Sequence, residues 1–129
     1  MIRLVTAVLL SAMVGSACRP SGPLRPVAVQ MGRSLNSDNS VGNHTTSFKA
    51  GDTMNLAVLT SGPGSGVITV RWLYAGRLVT EQTREVSYRD DAATDFHIQN
   101  SGGFPVGAYA VEVIVDGEPY VTRPLRVDP

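Results

Sequence analysis

Val67-Ile68-Thr69-Val70-Arg71-Trp72-Leu73-Tyr74 decides the fold. Successive side chains of an extended strand point to opposite sides, so Ile68, Val70, Trp72 and Tyr74 share one face and Thr69, Arg71 and Leu73 the other. An apolar face backed by a mixed one is a half-buried strand, with Trp72 expected in the core. The same two-residue period recurs downstream. Tyr109, Val111, Val113 and Val115 line one face and Ala110, Glu112 and Ile114 the opposite one, and Val121, Leu125 and Val127 repeat the pattern. Strands are expected near residues 27–32, 54–60, 67–74, 77–88, 94–99, 108–115 and 119–127, with a further short one around Phe48. No stretch carries a helical period.

The connections support this reading. Asp116-Gly117 stands between two apolar runs, and both residues tolerate the positive φ angles of a type I′ turn, which predicts a hairpin. Ala75-Gly76 is placed to do the same, although alanine resists positive φ. The stretch Ser61-Gly62-Pro63-Gly64-Ser65-Gly66 reads as a looser connection. Asn36 to Thr46 is polar, rich in Asn and Ser and too long for a tight turn, and is expected to form a mobile loop or crossover.

The N-terminus has a different character. Met1-Ile2-Arg3 is a short positive segment, Leu4 to Val14 is apolar, and Val14-Gly15-Ser16-Ala17-Cys18 resembles the lipobox of bacterial lipoproteins. The resemblance implies cleavage before Cys18, acylation of its sulfur and attachment to a membrane through that residue. A plain secretory signal cleaved after Ala17 is the alternative. The apolar run falls well short of the roughly 20 residues that a membrane-spanning helix needs. Arg19-Pro20-Ser21-Gly22-Pro23-Leu24-Arg25-Pro26 holds three prolines and reads as an extended tether. The expected organisation is a signal peptide over 1–17, a lipidated cysteine and tether over 18–26, and one domain over 27–129. Arg19 rather than Asp follows the cysteine, which by resemblance to enterobacterial sorting directs the protein to the outer membrane, facing the periplasm.

Cys18 is the only cysteine, so the folded part has neither a disulfide framework nor a thiolate metal site. About 100 residues form one domain of common size with room for a real core. Cleavage before Cys18 also removes Arg3 and leaves ten Lys and Arg against eleven Asp and Glu, a net charge of −1. Such a surface carries no steering field for nucleic acid, and no nucleic-acid-reading module is visible.

Phe104-Pro105-Val106-Gly107-Ala108-Tyr109-Ala110-Val111-Glu112-Val113, followed by Asp116-Gly117 and a strand ending Leu125-Arg126-Val127, resembles the closing segment of bacterial immunoglobulin-like and fibronectin-III-like domains. Phe48-Lys49-Ala50-Gly51-Asp52-Thr53 before an early strand and Trp72 in the third suit the same class. The resemblance implies an all-β, immunoglobulin-like sandwich of about seven antiparallel strands. It also implies a tyrosine corner, with the Tyr109 hydroxyl bonded to backbone near Phe104 or Pro105. The paired cysteines of antibody domains are absent. Domains of this class are dominated by binding and assembly modules without a shared active site.

Side chains with chemical potential are few. His44 sits in the polar loop and His97 on an outward strand face, and neither has metal-ligand spacing to Asp or Glu. Asp90, Asp91 and Asp95 could surround a short turn, but the spacing of an EF-hand is missing, so a solvated turn is the reading. Ser65 is not in a nucleophile elbow, and no phosphate-binding loop follows the glycine-rich stretch. Asn43-His44-Thr45 matches a glycosylation acceptor, which the bacterial export signal makes irrelevant. The arginines, among them Arg71, Arg77, Arg84, Arg89, Arg123 and Arg126, are expected on outward faces balanced by Glu81, Glu85 and Glu112.

No catalytic, cofactor-binding or metal-binding residue is therefore expected. The reading is a lipid-anchored, non-enzymatic module that binds another envelope protein through sheet edges or loops. The alternative is a binder of cell-wall or surface polysaccharide through Tyr74, Tyr88, Tyr120 and the arginines. An enzyme would need an acid–base pair, for which His97 and Asp95 are the residues to test. Growth with an alkyne-bearing palmitate analogue is expected to label the parent chain and leave Cys18→Ala unlabelled; equal labelling of both would remove the lipid anchor.

Overall fold

The computed structural model describes residues 22–129, which form nine strands in two packed sheets and no helix. In chain order these are β1 (Pro26–Leu35), β2 (Val41–His44), β3 (Ser47–Lys49), β4 (Met54–Thr60), β5 (Gly64–Tyr74), β6 (Arg77–Tyr88), β7 (Ala92–Ile98), β8 (Gly107–Val115) and β9 (Glu118–Asp128). One sheet has the order β2-β1-β4-β7 and the other β3-β9-β8-β5-β6. The all-β sandwich is thus as expected. The expected signal peptide 1–17, Cys18 and the first residues of the expected tether lie outside the described residues.

Alternation builds the core as the sequence predicts. Ile68, Val70 and Trp72 of β5 and Val111 and Val113 of β8 face Met54, Leu56 and Val58 of β4 across the sandwich, all at most 1% exposed. Both expected hairpins form. Asp116 and Gly117 adopt φ of 51° and 81°, and Ala75 and Gly76 adopt 50° and 84°, so Ala75 accepts the left-handed region to keep the tight turn.

Three expectations need correction. The strands number nine rather than seven, because the polar stretch before Phe48 also contains β2. The expected loop 36–46 is largely a hairpin: β2 pairs with β1 through Leu35↔Val41 and Gly32↔His44. Val41 donates its N–H to Gln30 Oε1 at 3.2 Å, and Gln30 stands opposite Ala57 on the outer face of its sheet. The hairpin therefore folds over that outer face. Val41 and Ala57 are buried there, outside the main core, and β4 is covered on both sides. One apolar residue in a polar run leaves no period to read. Nor is the sandwich wholly antiparallel, since β3 pairs parallel with β9 through Phe48↔Val127, which buries Phe48 completely.

The third correction concerns the tether. Leu24 is buried in the core, Pro23 bridges Ser65, and Ser65 N–H donates to the Gly22 carbonyl at 3.2 Å. Residues 22–26 therefore dock on the domain. A single leucine among prolines inserts without any strand pattern around it.

Trp72 sets the energetic scale. It is 1% exposed and the largest of the fully buried side chains. Trp72→Ala is expected to cost about 3–5 kcal/mol, much of the 5–15 kcal/mol by which such domains are stable. A thermal melt within a few degrees of the parent would show that the ring is not a core residue.

Candidate functional site

Trp72 pairs with Thr80 but Leu73 with Leu78, so Val79 has no partner and forms a β-bulge in β6. On the far side of the bulge, β6 seals the lateral mouth of the sandwich. Gln82 Oε1 accepts the Trp72 indole N–H at 2.9 Å, and Gln82 Nε2 donates to the His97 carbonyl at 3.0 Å. Arg84 donates to the Asp95 carbonyl at 2.7 Å and stacks over Phe96, its guanidinium carbon 5.7 Å from the ring centre. Tyr88 and Thr94 share a hydroxyl hydrogen bond of 2.6 Å. Where the bulge turns β6 aside the seal ends, and a groove of about 610 Å³ opens between β6 and residues 97–100 and 104–105.

Tyr74, Phe104, Pro105 and Tyr109 form the floor of the groove, and Val79, Thr80, His97, Ile98, Gln99 and Asn100 its walls. The floor is fixed from both sides. Tyr109 donates its hydroxyl to the Pro105 carbonyl at 2.7 Å, the tyrosine corner expected from the Pro-x-Gly-x-Tyr pattern, and Tyr74 donates to the Val106 carbonyl at 2.9 Å. The Tyr74 and Tyr109 rings lie 4.6 Å apart, tilted by 40°, and Phe104 meets Tyr109 edge-on at 6.2 Å. Gly107 adopts φ of 143°, and a Cβ there would come within 3.1 Å of the Tyr74 ring, so both the turn and the packing favour glycine. The preceding loop is tied down by Asn100, whose side-chain oxygen accepts Gly102 N–H at 3.0 Å. Phe104 N–H bonds to the Ala50 carbonyl at 2.8 Å.

The residues singled out in the sequence are dispersed. His97 faces outward at the groove wall, its Nδ1 3.6 Å from Asp95, while His44 is exposed on β2. Asp90 accepts the Asp91 N–H and Asp91 the Gly62 N–H, whereas Asp95 turns to Arg84 and His97. Among the described residues no three His, Cys, Asp or Glu side chains gather where a metal ion could be held. Tyr74 lines the groove, but Tyr88 and Tyr120 lie toward the opposite pole, next to the starts of β5 and β9. They form no common platform with it. Arg71 bridges Glu81 and Glu112 across three strands, and Arg84 and Arg126 also pair with carboxylates. Cys18 lies outside the described residues.

Val79, Thr80, Gln99 and Asn100 were not singled out from the sequence. Their one trace is Leu78-Val79, two adjacent apolar residues in a strand that otherwise alternates, which is how a bulge looks in one dimension.

No protein-family model matches the sequence, and no curated protein does. The fold is similar to that of an immunoglobulin-like protein from Pseudomonas aeruginosa, with a TM-score of 0.53 and 12% identity over 81% of this chain and 95% of that one. A DNA-bound alkylpurine DNA glycosylase from Pseudomonas fluorescens aligns with a TM-score of 0.48 and 14% identity, over 78% of this chain and 30% of that one. The first likeness, with the sheet order and tyrosine corner, makes this an immunoglobulin-like β-sandwich. At these identities only the fold is shared.

Burial, and after it the neighbouring Tyr74, hold the Tyr109 phenol above its ordinary value near 10. The folded state thus favours the protonated phenol that donates to Pro105. Its contribution is complete below pH 10 and is lost as pH rises through the raised value. Tyr109→Phe is expected to lower stability at pH 7 by about 1 kcal/mol and to remove this part of the alkaline loss. Thermal melts at both pH values that coincide with the parent would overturn the role of the corner.

Proposed function

We propose that this protein is a lipid-anchored, non-enzymatic module of the cell envelope that holds another envelope protein. The observation that carries the proposal is the open edge of β6. This strand has 12 residues and, among the described residues, pairs only with β5, so its outer backbone groups are open there to an added strand. The other edges are closed or short. The Asp95 and His97 carbonyls on the edge of β7 are taken by Arg84 and Gln82. Pro119 and Pro124 interrupt β9, and β2 and β3 have four and three residues.

Placement along the sandwich supports the same reading. The described chain begins at the pole that carries the β4–β5, β6–β7 and β8–β9 turns, while the groove lies at the pole of the β5–β6 turn. Four residues from an acylated Cys18 to Gly22 would reach at most about 14 Å. The groove would then face away from the bilayer, toward the periplasm for a protein of the outer membrane. Its described lining holds no Asp, Glu, Lys or Arg, which suits contact with an uncharged partner surface.

A photoreactive amino acid at Glu85 on β6, in the full-length protein within native envelopes, is expected to give one discrete protein adduct. That adduct should be depleted when Cys18→Ala releases the protein from the membrane. A smear of bulk envelope material, or no adduct, would count against the module.

A further inference from the structure

The groove beside the β6 bulge is built to choose what the edge holds: we infer that it takes an extended polypeptide segment of the partner that inserts an uncharged, apolar side chain. This rests on the module reading above and adds to it the chemistry of the partner. Charge is the first argument. Among the described residues no Asp, Glu, Lys or Arg lines the groove, although Arg77 and Arg84 stand on β6 and Asp95 on β7. A charged side chain entering it would shed water and find no Asp, Glu, Lys or Arg among the lining residues to pair with, whereas an apolar one gives up no hydration of a polar group.

The unspent polar groups are the second argument. The Gln99 amide, the Asn100 side-chain NH2 and the Thr80 hydroxyl line the walls and bond to no other described residue. Neutral donors and acceptors around an apolar floor match the amide groups of an extended peptide, with its side chain pointing down. Val79 lines one side and is 51% exposed, and Val106, equally exposed, follows the groove-lining Pro105 and accepts the Tyr74 hydroxyl at its carbonyl. Because both floor tyrosines are locked by hydrogen bonds, the groove is formed before anything binds, which lowers the ordering cost of association. The same bulge that opens the groove sits on the open edge of β6, so a strand added there passes over it.

The test uses the full-length protein in native envelopes with the photoreactive residue at Val106. The expected adduct is a polypeptide joined within a stretch free of Asp, Glu, Lys and Arg. Val79→Lys is expected to cut its yield about tenfold, the effect of roughly 1.4 kcal/mol of lost affinity, and Val79→Leu to keep it. Val79 is exposed, and melting curves of both variants check that the fold is retained. Attachment within a charged stretch, a carbohydrate adduct, or undiminished yield in Val79→Lys would each overturn the inference. If Val106 gives no adduct while Glu85 still does, the groove inference falls and the module stands; if neither does, both fall.

Discussion

Trp72 cannot be buried alone, because its indole N–H must find an acceptor, and an unsatisfied buried donor costs about 1–3 kcal/mol. Gln82 supplies that acceptor from β6, the next strand of the same sheet, and its amide nitrogen then reaches the His97 carbonyl on the opposite sheet. One side chain thus completes the largest core residue and joins the two sheets at their open side. Arg84 repeats the device one step along, using the Asp95 carbonyl and the face of Phe96. These contacts close the edge of β7 and hold β6 in place as an edge strand whose own outer side is free.

The bulge at Val79 limits that seal. Thr80, Gln82 and Arg84 hold alternate positions on one side of it, and Arg77 and Leu78 are exposed on the other. At the bulge the strand turns aside, and the tyrosine corner becomes the floor of an accessible groove. The hydroxyl bonds of Tyr109 and Tyr74 that fasten residues 104–107 also make the floor rigid. A groove supported this way is held in one shape by the fold itself.

Short-range information in the chain was legible wherever a periodic pattern or a turn pair encoded it. Alternation placed β5, β8 and β9 and the core-facing Trp72, and runs of β-favouring residues between turn signals placed β4 and β6. Asp116-Gly117 gave its hairpin, and the Pro-x-Gly-x-Tyr pattern led to the hydroxyl bond of Tyr109 with Pro105. The second strand was missed because Val41 is a lone apolar residue whose burial comes from folding back over Gln30 and Ala57. Leu24 was read as tether for the same reason. The parallel pairing of β3 with β9 joins residues nearly 80 positions apart, and nothing local announces such a contact.

The candidate site divides along the same line. The sequence by itself determined the all-β class, the face that each long strand turns to the core and the tyrosine corner, because these follow from the two-residue period and from backbone preferences of neighbouring residues. Only the tertiary structure decided that β6 lies beside the edge of β7, that Gln82 and Arg84 close that edge, and that Val79, Asn100 and Tyr74 share one groove. Those relations depend on how two sheets stack and where one strand bulges, and that geometry brings together residues separated by tens of positions in the chain.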